Sequence, residues 1–375
     1  MKAYSASQFL KFELLARGAV ISPAARKVLA TLTRDGRISP ADYASTSGVI
    51  LRLDSTEWVN VPVKENNPNF VEETPYTLDH AANGFFVHGN ELEAQAEFWP
   101  LPLYHGTTGA NGRPLNNYVV THGDRVRLSP TIGCAMECTF CNIPYDDTYA
   151  GVKPVEAMIV ALRTALTDPI QPARHILISG GTPGPPHVRQ MQDVYYRVLS
   201  EFAPIGVDIM MAPIAGLLDV PALDELGVNE LSINLELWDD RLAATVMRHK
   251  HRQSREYYLD FLERAAGVLG GQRVRSMLMV GIEPLESTLQ AVEAIAVRGC
   301  VPVLSPFRPD PATPMSSAPP PTAEALRVAF EQARVIAGSH GVTLGPACDP
   351  CTHNTLTFAS GTRRSNEPRL ERGAL

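Results

Sequence analysis

"RVRLSPTIGCAMECTFC", residues 125–141, is a short apolar run followed by a loop that holds three of the chain's six cysteines. In this loop Cys134, Cys138 and Cys141 are separated by three and then by two residues, and Phe140 precedes the last of them. Six cysteines in a chain of 375 residues, clustered rather than dispersed, indicate metal ligation or redox chemistry more than a disulfide framework. A structural zinc ion needs four ligands, whereas this loop supplies three.

From Val126 onward, short apolar runs alternate with helical segments. The runs predict strands at 125–129, 175–179, 206–214, 230–237, 273–282, 301–307 and 341–345, and the segments between them predict helices near 153–167, 187–203, 255–269, 286–298 and 322–338. Strands buried on both faces that alternate with helices indicate an α/β fold with a parallel sheet and right-handed crossovers. Six such units and a trailing strand favour a partial (β/α)6 barrel, with its active site at the carboxyl ends of the strands.

Residues 1–118 follow a different pattern. Ser22 and Pro23 predict the start of a helix that ends near Gly36, and a pair of apolar runs predicts a hairpin with its turn at 54–56. Two short helices followed by a hairpin are also the pattern of a winged helix. The other interpretation is a capping subdomain with a small sheet.

We therefore expect three regions along the chain. Residues 1–118 would form an α+β accessory subdomain, in which 64–117 make an irregular wrap rich in Asn, Pro, Gly and Tyr. Residues 119–347 would form the barrel. Residues 348–375 would be an extension that carries a C-x-x-C pair and, after Phe358, a polar disordered tail.

The composition is that of an ordinary globular protein, with 45% hydrophobic and 19% charged residues and a formal net charge of -7. This acidic balance gives no electrostatic reason to bind nucleic acid or an anionic membrane. Residues 1–64 hold nine Lys or Arg against five Asp or Glu, too slight an excess for a DNA-binding face. The sequence has no apolar stretch of membrane-spanning length and no signal-peptide pattern, so we expect a protein of the reducing cytoplasm.

The three-cysteine loop resembles the signature of the radical S-adenosylmethionine (SAM) superfamily: three cysteines separated by three and two residues, with an aromatic residue before the third. The resemblance implies that Cys134, Cys138 and Cys141 hold a four-iron four-sulfur (4Fe–4S) cluster, whose open iron chelates the amino and carboxylate groups of SAM. Reductive cleavage of SAM would then yield methionine and a 5'-deoxyadenosyl radical. The competing interpretation is a zinc knuckle or incidental thiols.

A second similarity to this superfamily lies after the next predicted strand, at "ISGGTP". Gly180 and Gly181 permit close approach of the backbone to a ligand, and the resemblance implies that they, with Thr182 and Pro183, bind the methionine amino group. By itself this short motif would indicate only a turn.

The run "SINLEL" places Asn234 and Glu236 on one face of a predicted strand. It resembles the ribose-binding strand of biotin synthase and the hydrogenase maturases, in which an amide and a carboxylate meet the ribose hydroxyls. In those families a later arginine, here Arg255, holds the methionine carboxylate with its planar guanidinium. The competing interpretations are a helix cap or surface pair for Asn234 and Glu236, and a solvated charge at a helix start for Arg255.

Two further motifs follow the fifth and sixth predicted strands. In "MVGIEP", Gly281 and Ile282 resemble the superfamily's adenine contacts, while Glu283 is equally suited to capping the next helix. In "LSPFRPDP", Arg308 is a candidate substrate contact at the barrel mouth, and a salt bridge within the loop to Asp310 is the alternative.

Cys348 and Cys351, in "ACDPCTHN", follow the last predicted strand, so we expect them on the catalytic side. Three interpretations remain open: ligands of a second iron–sulfur cluster, with His353 or a group from elsewhere; a redox pair or hydrogen donor; or a structural zinc site or unligated turn. Cys300 precedes its strand and is expected at the opposite end.

These patterns predict a radical SAM enzyme that abstracts hydrogen from a small-molecule substrate, with flavodoxin or ferredoxin as the electron donor that the family implies. The first alternative is a peptide-modifying enzyme whose N-terminal helices and hairpin grip a leader peptide. The second, of another class, is a non-catalytic iron–sulfur scaffold or redox sensor, which would have no need for Asn234, Glu236 and Arg255. A cobalamin-dependent reaction is disfavoured because residues 1–118 lack a doubly wound βαβ pattern.

Overall fold

The structure, a computed structural model, describes residues 4–32, 48–64, 67, 73–99 and 101–359. The predicted helix end at Gly36 and the predicted disordered tail from residue 360 lie outside these residues. No helix in the described part of the chain is both long enough and apolar enough to cross a membrane.

The first two helices, α1 (Ala6–Arg17) and α2 (Pro23–Leu32), both begin at serine caps. The Ser5 hydroxyl accepts the Gln8 N–H while the Gln8 side chain accepts the Ser5 N–H, which satisfies two otherwise unpaired donors. The predicted start of α2 is confirmed, because the Ser22 hydroxyl accepts the Ala25 N–H at 3.0 Å.

A six-stranded sheet completes the N-terminal region. Its strands are β1 (Val20–Ile21), β2 (Gly48–Leu53), β3 (Glu57–Pro62), β4 (Thr77–Ala81), β5 (Gly84–Gly89) and β6 (Leu92–Phe98), in the order β1-β4-β5-β6-β2-β3. The β2–β3 hairpin confirms the predicted turn at 54–56. The winged-helix interpretation is wrong, because the hairpin is one edge of a much larger sheet that α1 packs against.

The predicted irregular wrap is also wrong over β4 to β6, which form a meander of antiparallel strands. In β6 buried and exposed residues alternate, so only every second side chain is apolar and the strand lacks a continuous apolar run. Asn83 and Asn90, two of the asparagines that suggested a wrap, lie in the tight turns at 82–83 and 90–91, and Gly84 and Gly89 are the end residues of β5.

The second sheet is the barrel. Its strands are β7 (Val119–His122), β8 (Arg125–Leu128), then, after a two-stranded ribbon of β9 (Thr131–Ile132) and β10 (Gly151–Val152), β11 (His175–Ile178), β12 (Val207–Met210), β13 (Glu230–Ser232), β14 (Val274–Val280) and β15 (Val301–Pro306). The helices are α3 (Ile143–Asp146), α4 (Val155–Leu166), α5 (Val188–Phe202), α6 (Val220–Glu225), α7 (Asp240–Val246), α8 (Arg248–His251), α9 (Arg255–Leu269), α10 (Leu285–Ala296) and α11 (Ala323–Ser339).

The strand order β15-β14-β13-β12-β11-β8-β7 confirms a partial barrel of six parallel strands, from β8 to β15. The edge strand β7 is antiparallel to β8 and was not predicted. The predicted trailing strand at 341–345 is wrong, since this segment makes only an isolated bridge between Val303 and Gly345. The open (β/α)6 architecture leaves one face of the barrel for the N-terminal region and the C-terminal segment.

One continuous apolar core joins the two sheets. At the junction Phe12 of α1 lies 5.3 Å from Phe358, and Phe330 of α11 lies 5.0 Å from the same ring, both measured between centroids. Edge-to-face contacts of this kind add to the apolar area that the rings bury. The N-terminal region is therefore packed onto the barrel through α1, α11 and the chain after β15.

Candidate functional site

A cavity of about 260 Å3 opens at the carboxyl ends of the barrel strands. Its wall contains many of the predicted site residues, namely Cys134, Cys138, Phe140, Cys141, Gly180, Thr182, Asn234, Glu236 and Arg308. A second cavity of about 730 Å3 adjoins it, and both are lined by Arg127, Asn142, Ile143, Gly180 and Asp310. Together they give a ligand-sized space at the position where barrel enzymes hold their substrates.

The cysteine loop faces this cavity with three free thiols. Cys134 Sγ accepts N–H groups from Met136 at 3.4 Å and from Thr182 at 3.2 Å. The loop is fixed to the end of α7 because Thr139 donates from both its N–H and its hydroxyl to the Val246 carbonyl.

The other two cysteines lie in apolar surroundings. Burial raises the pKa of the Cys138 and Cys141 thiols to about 12, so both keep their protons at neutral pH in the metal-free chain. Binding of iron has to displace these protons, and cluster assembly is therefore coupled to proton release.

Gly181 fixes the cysteine loop against the end of β11. A Cβ atom at this position would lie 1.9 Å from the Gly133 carbonyl oxygen and 2.5 Å from Thr131 Oγ1. The close approach predicted for this glycine is thus made to the cysteine loop itself, whereas the neighbouring Gly180 lines the cavity. Pro183 is buried outside the cavity wall.

Asn234 and Glu236 both reach the cavity, although β13 ends before them at Ser232. Asn234 Oδ1 accepts the Ser232 hydroxyl and the Met277 N–H, and no described residue accepts from its amide nitrogen. Glu236 has a φ of 69°, a left-handed conformation that is uncommon for a residue other than glycine. Its Oε2 atom is buried and has no partner in the described part of the chain.

Lys250 is a site residue that the sequence analysis missed. Its Nζ donates to Glu236 Oε1 at 3.2 Å and to the Asn234 carbonyl at 3.0 Å. Burial opposes the lysine charge, but the Glu236 carboxylate together with Tyr258 and Cys138 outweighs burial and holds the pKa of Lys250 above its ordinary value. The only sequence signal was its place in a run of basic residues, "RHKHR", 248–252, which is typical of a solvated surface.

Arg255 lies outside the cavity. It begins α9, stacks on the Trp238 ring at 4.2 Å and donates to the Trp238 carbonyl at 2.9 Å. Gly281 and Ile282, which follow β14, also lie outside the cavity wall. Gly281 is exposed and next to Pro321, and Ile282 packs on the apolar cluster around the cysteine loop. The roles predicted for these three residues remain predictions.

Two arginines place positive charge on the cavity wall without a carboxylate partner among the described residues. Arg308 donates to the carbonyl and side-chain oxygens of Asn60 in β3, and burial lowers its pKa to about 10. The predicted loop salt bridge from Arg308 to Asp310 is not formed. Arg127 of β8 has a buried Nε atom with no partner in the described chain, and burial lowers its pKa. An anionic ligand would satisfy both guanidinium groups.

The expectation that Cys348 and Cys351 open on the catalytic side is wrong. Their sulfur atoms lie against His175, the first residue of β11, at the amino end of the barrel. After β15 the chain makes a bridge at Gly345 and then turns toward the amino end of the barrel strands. The two cysteines therefore do not lie where the end of the last predicted strand would have placed them.

A 4Fe–4S cluster and SAM fit the cavity wall by the chemistry of its donors. Three thiols face one space, as a cluster with one open iron requires. Beside them Glu236 offers an unpartnered carboxylate oxygen and Asn234 an unpartnered amide, which are the groups that hydroxyls on a ribose need.

This fold and this site define a partial-barrel enzyme with a three-cysteine metal loop at the carboxyl ends of its strands. Residues 128–295 match the sequence profile described as the Radical SAM superfamily. This segment, somewhat less than half of the chain, is a radical SAM domain, and it contains the three cysteines, Asn234 and Glu236.

One curated relative is bacteriochlorophyllide c C-7(1)-hydroxylase from Chlorobaculum limnaeum, 24% identical over 307 residues that cover 70% of this chain and 73% of that protein. SAM-bound SuiB from Streptococcus suis is similar with a TM-score of 0.45 and 12% identity, over 66% of this chain and 55% of SuiB. HydG, a maturase of the FeFe hydrogenase, has a TM-score of 0.45 and 13% identity, over 59% and 52% of the two chains. The chain thus spans about half the length of either solved structure.

Proposed function

We propose that the protein cleaves SAM reductively at a 4Fe–4S cluster held by Cys134, Cys138 and Cys141 and uses the resulting radical to abstract hydrogen from a small-molecule substrate. One observation carries the proposal: the three thiols open onto the same cavity as the unpartnered carboxylate oxygen of Glu236. When bound and reduced, the cluster supplies the electron that breaks the carbon–sulfur bond of SAM.

The chain's own residues have three tasks in this reaction. Glu236 and Asn234 accept from and donate to the ribose hydroxyls, and Lys250 fixes the Glu236 carboxylate in its left-handed backbone conformation. Apolar side chains around the loop, among them Met136, Leu237 and Met247, exclude water, so that the substrate is the nearest source of hydrogen.

The substrate we infer carries an anionic group. Arg127 and Arg308 are guanidinium groups without an ion-pair partner in the described chain, and both line the cavity. A carboxylate or phosphate would bind such a group in a bidentate manner. The relative named as a bacteriochlorophyllide hydroxylase supports the modification of a carbon centre in a biosynthetic compound.

The peptide-modifying alternative is not favoured by the N-terminal region. The face of α1 that would have to grip a leader peptide is occupied, since Leu10, Phe12, Leu14 and Leu15 are buried in the core. A small molecule in the cavity is therefore the better candidate.

The proposal is tested by anaerobic reconstitution with iron and sulfide, addition of SAM and dithionite, and measurement of 5'-deoxyadenosine by mass spectrometry. Cysteine-dependent product is expected from the parent and is abolished in Cys138→Ala. Cys300→Ala is the matched control, because Cys300 is equally buried but lies outside the cavity. Product from Cys138→Ala, or none from a fully loaded parent supplied with extracts of its source cell, would refute radical cleavage at this loop.

The ribose assignment has its own test. Glu236→Gln keeps the side-chain shape but removes the charge that Lys250 compensates, so we expect SAM binding to the cluster-loaded protein to weaken by about tenfold or more. Equilibrium dialysis with labelled SAM measures the change. Glu263→Gln, at an exposed carboxylate of α9, should bind SAM as the parent does. Unchanged affinity in Glu236→Gln would remove this residue from the binding site.

A further inference from the structure

A second group of potential ligands lies at the opposite end of the barrel. His175 Nε2 is 3.3 Å from Cys351 Sγ and 3.8 Å from Cys348 Sγ, and the three ligand atoms lie within 4.8 Å of one another. All three residues are 3% exposed, so no bulk water competes for these atoms. The cysteine loop lies beyond the other end of the strand that His175 begins, which makes the two groups separate sites.

The surroundings of this group are those of a metal site. Asp124 Oδ1 lies 3.9 Å from His175 Nδ1, on the side of the ring that faces away from the sulfur atoms. This distance is longer than a direct hydrogen bond, but it places a carboxylate on the side of the ring where ligating imidazoles commonly have one. In addition, the Cys351 N–H donates to Cys348 Sγ at 3.3 Å, a hydrogen bond that stabilises a thiolate.

We propose that His175, Cys348 and Cys351 bind one zinc ion when the two cysteines are reduced. Each thiol releases one proton, so that two thiolates balance the charge of Zn2+ and the buried site stays neutral. A water molecule supplies the fourth donor of a tetrahedral site. No electron is transferred in this step.

The choice of zinc follows from the ligand set. One imidazole and two thiolates are borderline-soft donors that suit tetrahedral zinc, whereas an iron–sulfur cluster generally takes four protein ligands, or three with an open iron that binds a substrate. In the structure Cys348 and Cys351 form a disulfide, and the Cα atoms of the two residues are 5.2 Å apart. That separation also suits two residues of a C-x-x-C pair that share a metal ion, so oxidation and zinc binding exclude each other.

The ion would fasten the C-terminal segment, residues 345–358, to the barrel. This segment also accepts two hydrogen bonds from Lys11 Nζ, at the carbonyls of Thr352 and Thr357, and its Leu356 N–H donates to the Leu304 carbonyl. Its Asn354 lines the radical cavity. Zinc at the amino end would therefore hold in place a residue that lines the cavity.

The experiment is metal analysis of protein purified anaerobically under reducing conditions, by mass spectrometry with inductively coupled plasma. To exclude metal bound at the other loop, the chain carries Cys134→Ala, Cys138→Ala and Cys141→Ala. We expect about one zinc per chain, as a site with three protein ligands gives. Adding Cys351→Ser or His175→Asn should lower it at least fivefold, while adding Cys300→Ser, at the buried cysteine outside the group, should leave it unchanged.

Cobalt substitution gives an independent readout. Co2+ bound to two thiolates should give a charge-transfer band in the near ultraviolet that is lost in the Cys351→Ser chain. The proposal is overturned if the folded, reduced protein holds no zinc, if the metal found is iron, or if alkylation and intact mass show that Cys348 and Cys351 remain a disulfide in the reductant. Circular dichroism confirms that each variant has folded, and the parent's own zinc content decides the question if the variants do not fold.

Discussion

At the scale of single residues, Lys11 is the least expected feature of the molecule. It lies in the middle of α1 with no exposed surface, and its Nζ donates to the carbonyls of Thr352 and Thr357. Burial lowers the pKa of this lysine to about 8, although Glu57 and Asp349 partly offset the effect. A buried ammonium group that is held mainly by neutral carbonyls destabilises the fold relative to a neutral amine.

The lysine predicts an unusual dependence of stability on pH. The pKa of its ammonium group is about 8 in the folded chain and 10.5 in an unfolded chain, so between these values the unfolded chain binds more protons. The contribution of Lys11 to the free energy of unfolding should therefore rise with pH in this window, by up to about 3 kcal/mol, and its penalty is fully present below pH 8. Burial also lowers the pKa of Lys153 to about 8, which adds to the rise, and raises the pKa of the Cys138, Cys141 and Cys300 thiols to about 12, which opposes it above pH 9. Denaturant titrations at pH 7.5 and pH 9.5 measure the rise.

Two variants isolate this contribution from other titrating groups. Between pH 8 and 10.5 the free energy of unfolding of Lys11→Met should change by up to about 3 kcal/mol less in the stabilising direction than that of the parent, whereas Lys27→Met, at an exposed lysine of α2, should keep the parent's profile. If parent and Lys11→Met show the same pH profile, Lys11 is not the group responsible.

The sequence predicted only contacts between residues that are close together along the chain or lie on neighbouring strands. The sequence placed the cysteine loop and the glycines 180–181 on the same side of the barrel. It could do so because each motif is short and the two motifs follow the paired strands β8 and β11. Lys250 was missed because it reaches Glu236 from a one-turn helix whose basic neighbours face solvent. The pairing of His175 with Cys351 spans 176 positions and depends on how the last segment folds back, which no local pattern records.

At the scale of elements, the cysteine loop can contact the end of β11 because Gly181 has no side chain. Gly181→Ala would place a methyl group 1.9 Å from the Gly133 carbonyl oxygen, which is backbone and has to move. We expect the displaced loop to hold at least about fivefold less iron after reconstitution, while far-ultraviolet circular dichroism shows the helices intact. Iron and sulfide analysis measures the loss.

The matched control is Gly267→Ala in α9, where a Cβ atom meets nothing within 4 Å. Alanine favours a helix over glycine, so this variant should be more stable by about 0.5–1 kcal/mol and load iron as the parent does. A Gly181→Ala chain that loads iron normally would show that the loop tolerates the shift.

Strands and helices of the barrel were predicted well where apolar runs are continuous, and poorly elsewhere. The parallel strands are covered on both faces, so β11 and β15 are buried throughout and stand out in the sequence. The strands β4 to β6 were missed because one face is partly exposed and their polar residues interrupt each run. The helix α6 was missed because its six residues are shorter than any window in which helical periodicity is visible.

At the scale of the whole molecule, the continuous core predicts that the N-terminal region and the barrel unfold together. Trp58 and Trp99 lie in the former and Trp238 in the latter, so fluorescence of Trp238→Phe follows the N-terminal region alone while circular dichroism follows the helices. In metal-free protein the two signals should give one midpoint.

Phe12→Ala removes a ring from the junction of α1, α11 and the C-terminal segment. The variant should lower the free energy of unfolding by about 3–5 kcal/mol, and both signals should shift together. Separate midpoints in the parent, or a shift of the tryptophan signal alone, would show that the two regions fold independently.

The position of Asn354 in the cavity wall also bears on the order in which a cell can make this enzyme. During synthesis the three cysteines leave the ribosome more than two hundred residues before the C-terminal segment, residues 345–358, which contributes Asn354 to the cavity wall. A nascent chain that has just completed β15 therefore contains the cysteine loop but not yet the segment that carries Asn354, so this part of the cavity wall is absent. Iron delivered at that moment would meet solvent on the side that the folded protein covers, so cluster loading should follow the folding of this segment.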